Sequence, residues 1–468
     1  MTQRKQLTVA LLAMLATSSV HAAVDLIATG SLSGQSTDLS TETSAPLENG
    51  VPGNLLGGIG SGIAYAGCNQ FLAIPDRGPN AIPYNAGVSD TTSYIDRFQT
   101  ITMDLEPSAP GSALPFALTP TLTDTTLLRT AQQLAYGSGV DFGLPDGAPA
   151  LNSANHTHYF TGRSDNFDPS RLSTNPLDAR MDPESIRVTH DGSNVFVTDE
   201  YGPYIYRFNR KTGQRTTVIV APDAFGVANL SANGDNEISG NSSGRVANKG
   251  MEGLAISPDG TVLFGAMQSP LLQDGGTSAP YTRILRINLE TGEMTQYAYP
   301  LTNIGSASNP KYPTISDVVA VNDHELLVDE RDGKGLGDGS TASFKKLFHI
   351  DLTGAQDVSA LTGAAALAPY AIAKVQFLDI VTTLNAHGIA SRDIPAKLEG
   401  VAFGPDVQVG GVTKHTLFVA NDNDFVGHVV DSLHPNGIDN PNQFFVFAID
   451  AADLPTYVPQ SFSNRACR

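Results

Sequence analysis

Short runs in which apolar and polar residues alternate recur along the chain, each closed by a turn. In one unit, Asp182-Pro183-Glu184-Ser185-Ile186-Arg187-Val188 leads through Asp191-Gly192-Ser193 to Val195-Phe196-Val197-Thr198-Asp199-Glu200. Residues 204–208 and the turn Arg210-Lys211-Thr212-Gly213 complete it. A second unit runs from Glu252 through Pro258-Asp259-Gly260 to Glu290-Thr291-Gly292. A third spans 317–351, a fourth 399–448, and a weaker early one 62–104. Period-two runs rich in β-branched and aromatic residues are strands, and the Asp-Gly and Thr-Gly steps between them are hairpin turns.

A unit of three or four antiparallel strands repeating at roughly 50 to 80 residues predicts an all-β chain folded as a β-propeller. Five units are legible. A sixth is expected in the irregular stretch 120–180, so six blades are predicted, with five or seven left open. Residues 25–32 are expected to add an outer strand to the last blade, so that N- and C-terminal segments close the ring and leave no sheet edge. Helical periodicity is scarce, and 364–384 is its best candidate. Polar segments at 33–57, 107–152, 223–249, 332–343 and 426–442 are rich in Gly, Ser, Asn and Asp and are expected as loops on the faces of the ring.

The first residues break this pattern. Arg4 and Lys5 precede an apolar run over 7–16, and Val20-His21-Ala22 offers small residues for cleavage. Residues 1–22 are therefore expected to be a signal peptide, leaving 23–468 as one exported propeller domain, periplasmic or secreted. The run is too short to span a bilayer, and no later stretch is long enough, so no membrane insertion is expected after cleavage. A net charge of −19, from 28 Lys+Arg against 47 Asp+Glu, argues against a nucleic-acid partner, because phosphate backbones call for clustered basic residues. With 41% hydrophobic residues the chain can bury a large core. Only Cys68 and Cys467 are present, and export favours a disulfide between them over two free thiols.

The candidate chemistry lies in acidic residues that recur at matched places. Glu184, Glu252, Asp317 and Glu399 open first strands; Asp76, Asp199 with Glu200, Asp329 with Glu330, and Asp422 close second strands. Innermost propeller strands line one axis, so these carboxylates would converge and repel unless a cation or basic groups neutralised them. Arg77 and Arg331 follow their blades' acids. Hard oxygen ligands suit Ca²⁺. The alternative, that each acid only caps a turn in its own blade, suits a single acid better than a recurring one.

Several strings carry a resemblance. Asp182-Pro183-Glu184, Asp199-Glu200-Tyr201-Gly202-Pro203, Glu252-Gly253-Leu254 and Glu399-Gly400-Val401, with Pro75-Asp76-Arg77-Gly78-Pro79 and Thr161-Gly162-Arg163-Ser164-Asp165, resemble the bacterial phytase-like family called esterase-like activity of phytase. The likeness runs from about residue 56 to 449; Ser185 departs from it, standing where glycine commonly follows the Glu. It implies an exported propeller that hydrolyses phosphoric esters. On that reading Asp76, Glu184, Asp199, Glu252, Glu399 and Asp422 are the expected metal ligands for Ca²⁺. Arg77, Arg163 and Arg331 are expected to clamp phosphate, and Glu200 or Glu330 to act as general base. The expected substrate is a small-molecule phosphate ester and the expected state a monomer. Two other readings stay open: a propeller hydrolase of another ester or lactone, and a non-catalytic binding propeller.

Other constellations are weaker. Gly240-Asn241-Ser242-Ser243-Gly244 has the serine-hydrolase spacing but lacks the flanking strand and helix. His156 and His158 would share one face of a strand, as a metal pair or, more simply, a packing pair. Asn233, Asp235 and Glu237 alternate like the start of a calcium loop, but Ile238 stands where the loop's glycine belongs. No Walker A, GxGxxG, HExxH or CxxC string occurs.

Overall fold

The computed structural model describes residues 24–79 and 83–463. The predicted signal segment and Cys467, and with Cys467 the predicted disulfide, lie outside the described residues.

The alternating runs form five four-stranded antiparallel sheets. From inside outward, blade one holds Gly62–Tyr65, Gln70–Ile74, Arg97–Pro107 and Phe116–Leu127. Blade two holds Pro183–Val188, Asn194–Asp199, Tyr204–Asn209 and Arg215–Val220. Blade three holds Met251–Ile256, Val262–Met267, Tyr281–Asn288 and Met294–Pro300, and blade four Thr314–Ala320, Glu325–Arg331, Lys345–Asp351 and Lys374–Asp379. In blade five, Lys397–Val409, Val412–Asp422 and Asn442–Asp450 are joined at the outer edge by Asp25–Leu32, with Thr29 opposite Phe445. The five inner strands pack against one another in a closed ring, each between two neighbours. The chain is a β-propeller, and the earliest described strand closes its last blade as the sequence predicts.

The ring has five blades, the lower of the two alternatives to six. The stretch 120–180 supplies the end of blade one's outer strand and the short pair Arg129–Thr130 with His158–Tyr159. The rest is loop docked on blade two, where Phe160 packs 5.3 Å from Tyr206 and 5.8 Å from Phe208. Its Gly, Pro and Asn residues break the alternation a blade needs. Phe116–Leu127, expected as loop, is a strand in which Thr119, Thr121 and Thr123 alternate outward. The predicted helical stretch splits into Ala364–Leu367 and Ile380–Ala386 around blade four's outer strand, because Pro369 cannot continue the first helix.

Apolar faces of adjacent blades make the core. Phe71 of blade one meets Phe418 of blade five at 4.5 Å, packed with Ile27, Ile63 and Val446. The sheet interiors thus fix the ring, and the inner-strand ends carry the polar chemistry. At one end of the ring the C-terminal tail crosses the opening: the Val458 amide donates to Val321 O, Gln460 Nε2 to Val188 O, and the Ser463 amide to His190 O. The other end is an open mouth.

Candidate functional site

Each inner strand approaches its neighbours closely, which explains the recurring Glu-Gly pair. A Cβ on Gly253 would lie 3.0 Å from Val318 N, and one on Gly400 2.9 Å from Gly60 O and Ile63 N. Glycine is the residue that permits this approach. The residue before it sits in a β-bulge, with register shifts between Met251 and Gly253 and between Leu398 and Val401. A bulge re-aims a side chain out of the sheet alternation, and Glu252 and Glu399 thereby turn into the mouth. The bulge between Pro183 and Ile186 does the same for Glu184. In blade four the bulge between Ile315 and Val318 puts Ser316, not Asp317, at the place of those glutamates. Asp317 falls one position later, where the other blades have Gly or Ser, and points along the axis instead.

The mouth is a cleft of about 380 Å³. Of the predicted site residues, Asp76, Arg77, Glu184, Glu200, Glu252, Arg331, Glu399 and Asp422 line it. Three others do not. Asp199 is fully buried behind the rim, where its Oδ1 accepts from the amides of Asp182 and Tyr201 at 3.0 Å each. Glu330 faces outward between blades three and four, bonded by Tyr299 Oη at 2.7 Å, the Thr302 amide at 3.1 Å and Lys374. Arg163 is buried against Asp165 at 2.5 Å and Glu48 at 3.4 Å. Strand alternation accounts for Glu330: its neighbour Arg331 takes the mouth-facing side.

The sequence reading missed Asp182, Lys249, Lys397 and Asp424, all of them next to acids it singled out. Asp182 accepts from the Arg77 amide at 3.0 Å and from Arg77 Nη1 at 2.5 Å. Carboxylate oxygens of Asp182, Glu184 and Glu200 all lie within 4.8 Å of one another, as do those of Asp76, Asp422 and Asp424. The second group already holds a cation, since Lys397 Nζ is 2.7 Å from Asp422 and 2.5 Å from Asp424. Arg331 pairs with Glu399 and donates from Nε to Ser316 Oγ at 2.7 Å. The loop 223–249 sends in Asn248, which accepts from Arg77, and Lys249, whose Nζ donates to Gln268 Oε1 at 3.0 Å.

The first carboxylate group is left under-neutralised. Glu252 Oε2 is shielded from solvent and makes no hydrogen bond. Burial, and then Glu200 and Glu399, push the Glu252 carboxyl well above its usual range. Burial followed by Glu252, Asp182 and Glu200 does the same to Glu184. Asp76 is raised by burial to about 7. Burial would lower Lys397, but Asp422, Asp424 and Glu399 outweigh it and hold the ammonium well above its ordinary value. Arg77 on Asp182 and Lys249 at the same cleft offset these acids only in part, so the cluster attracts a further cation.

The weaker constellations resolve differently. His156 has φ +56°, which removes it from the strand that His158 begins. Asn233 caps the helix Gly234–Gly240 by accepting from the Asn236 amide, and Glu237 binds two arginines, so neither belongs to a calcium loop. Ser242 and Ser243 follow that helix in polar loop.

A family model described as "Esterase-like activity of phytase" matches residues 54–425. The chain belongs to this phytase-like family. An "Uncharacterized secreted protein" of Arthroderma benhamiae is 30% identical over 267 residues, which is 50% of this chain and 49% of that one. The phytase-like chain thus spans about half the length of this curated relative. Among solved structures, a putative 6-phosphogluconolactonase from Bacteroides uniformis aligns over 82% of this chain and 88% of its own, at 12% identity and TM-score 0.30. The Cps50 (Swd1) β-propeller domain of Myceliophteria thermophila aligns over 51% and 52%, at 8% identity and TM-score 0.21. The family match and the ring of sheets agree on a phytase-like propeller. Among the described residues no helix is long and apolar enough to cross a membrane.

Proposed function

We propose that this chain is an exported, metal-dependent hydrolase of phosphoric monoesters that works at the open mouth of the propeller. The observation that carries this reading is the close approach of Asp182, Glu184 and Glu200, whose carboxylate oxygens lie within 4.8 Å of one another, beside a buried Glu252 oxygen that has no donor. The donor set is entirely hard oxygen, which fits Ca²⁺. Bound there, a divalent cation supplies counter-charge for phosphoryl oxygens and acidifies a water molecule.

The chain's own residues divide the remaining work. Asp182, Glu184 and Glu200 are the metal-holding carboxylates. Arg77, Lys249, Lys311, Arg331 and Lys397 gather at the same cleft, and this local basic rim offsets the acidic surface that would otherwise repel an anionic ester. Arg331 is the candidate clamp for phosphate oxygens. Glu252 takes a proton from the attacking water as the water oxygen bonds to phosphorus and the ester P–O bond breaks; the leaving oxygen takes a proton from solvent. Export is supported by the predicted signal segment and by the relative described as secreted.

The test is phosphate release by the mature protein from phytate and p-nitrophenyl phosphate, with Ca²⁺ and with a chelator. Turnover that needs metal and is lost in Glu252→Gln and Glu184→Gln is the expected result. Absence of phosphate release from every ester, with metal present, overturns the reading and moves carboxyl esters and lactones to the front.

A further inference from the structure

The far end of blade four carries a second cluster of metal-ligating side chains, unlike the mouth in composition. Strand Glu325–Arg331 runs antiparallel to Lys345–Asp351, with Glu325 opposite Asp351 and Leu327 opposite His349. Directly paired residues share a sheet face, as do residues two apart on one strand, so Glu325, His349 and Asp351 meet on one side. His324 enters from the preceding turn. This end lies roughly 20 Å along the strand from the mouth-facing Arg331.

We infer that His324, Glu325, His349 and Asp351 form a zinc-class metal site on the blade-four hairpin, separate from the mouth. Donor atoms of His324, Glu325 and Asp351 all lie within 4.8 Å of one another. His349 Nε2 is shielded from solvent, makes no hydrogen bond, and stands 3.9 Å from Glu325 Oε1. An imidazole nitrogen left without a partner beside a carboxylate is a donor waiting for a cation. Zinc bonds of about 2.0–2.1 Å put tetrahedral donors about 3.3 Å apart, a spacing that small rotations of the His324 and Asp351 side chains, both exposed, can reach.

The surrounding contacts leave the needed atoms free. Glu325 Oε2 accepts from Asn322 Nδ2 at 2.6 Å, which leaves Oε1 for the metal. His324 Nδ1 is 2.7 Å from Asp323 Oδ1. A ring nitrogen facing a carboxylate keeps its proton, so Nε2 is the free acceptor; this is the outer carboxylate that commonly orients a metal-binding histidine. Two imidazoles with two carboxylates select zinc-class ions, whereas the all-oxygen mouth selects Ca²⁺.

The test is calorimetric titration of the mature protein with Zn²⁺ in millimolar Ca²⁺, which occupies oxygen-only sites. Wild type is expected to bind one equivalent, Glu252→Gln to keep it, and His324→Ala and His349→Ala each to lose it. Co²⁺ is expected to give the visible bands of a tetrahedral site in wild type and in Glu252→Gln, and not in either histidine variant. The His324 side chain is 45% exposed, so its removal leaves folding intact, which circular dichroism checks. No zinc uptake by wild type in Ca²⁺, or unchanged uptake by the double histidine variant, overturns the proposal.

Discussion

Arg187 Nη2 lies 2.8 Å from Asp317 Oδ2 on the axis of the ring, and this one pair touches the inner strand of every blade. Arg187, on blade two, donates to Ile63 O of blade one, Val318 O of blade four and Val401 O of blade five. Asp317, on blade four, accepts from Ser185 Oγ of blade two and from the amides of Leu254 on blade three and Val401 on blade five. The pair plugs the channel between the open mouth and the tail-covered opening.

Because the plug satisfies backbone groups as well as two charges, it is expected to behave unlike an ordinary buried ion pair. Asp317→Ala strands the guanidinium and should cost about 3–5 kcal/mol. An isolated pair would be rescued by removing its other member. Here Arg187→Met/Asp317→Ala is expected to recover little, since the Leu254 and Val401 amides and the Ile63, Val318 and Val401 carbonyls lose their partners. Denaturant unfolding of the three proteins measures this; full rescue by the double change would reduce the plug to a simple charge pair.

The inner-strand glycines make a second prediction. A Cβ on Gly62 would sit 2.7 Å from Glu184 O and from Ser185 Cα, both on the neighbouring strand's backbone. Gly62→Ala must push blade two outward and is expected to cost about 1–3 kcal/mol, as overpacking does. Since Glu184 is part of the displaced backbone, metal affinity at the mouth should fall with it, whereas Gly192→Ala, at an open turn, should leave the metal untouched. Thermal unfolding with and without Ca²⁺ separates the two.

The contrast shows what the sequence could and could not disclose. Blades were legible because a half-buried strand must alternate, and the alternation is written in strings such as Val195-Phe196-Val197-Thr198. Glu184, Glu252 and Glu399 were legible because the repeat sets them in register. Asp317 was misplaced by one residue because a bulge has no compositional mark when serine precedes the acid. Lys249 and Lys397 were passed over because each belongs to a loop or strand edge whose direction depends on the closed ring. Arg163 and Glu330 were drawn into the site by motif and adjacency, and the three-dimensional arrangement sends both elsewhere.

The mouth carboxylates should reveal their cost when metal is withheld. With a chelator present, Glu252→Gln removes a buried carboxyl that burial, Glu200 and Glu399 make costly to ionise, and is expected to leave the melting temperature unchanged or higher. Ca²⁺ should raise the melting temperature of wild type and not of Glu184→Gln, which loses one of the metal-holding carboxylates, because binding to the folded state alone stabilises it. A variant that gains as much from Ca²⁺ as wild type would place the metal elsewhere.

Acid should loosen the site through a residue that never reaches it. Glu237, in the helix Gly234–Gly240, accepts from Arg180 Nη2 at 3.2 Å and the Ser231 amide at 3.0 Å, and pairs with Arg245 Nη2 at 2.6 Å. Burial would raise its pKa, but Arg245 and Arg180 outweigh that and pull it down to about 2. A carboxyl whose folded pKa is depressed stabilises the fold fully above its unfolded value, near 4.5, and loses that contribution as pH falls from there towards 2. The contribution at neutral pH is about 3 kcal/mol. Arg245 also donates from Nε to Tyr201 O, so the same contacts anchor the loop that presents Asn248 and Lys249 at the mouth. Glu237→Gln is therefore expected to unfold more easily than wild type at pH 7, with the gap closing as pH approaches 2. Hydrogen exchange in residues 223–249 should rise over the same interval in wild type, while in the variant it should be high throughout. A stability gap that does not change with pH would show that the arginines hold the loop without the charge on Glu237.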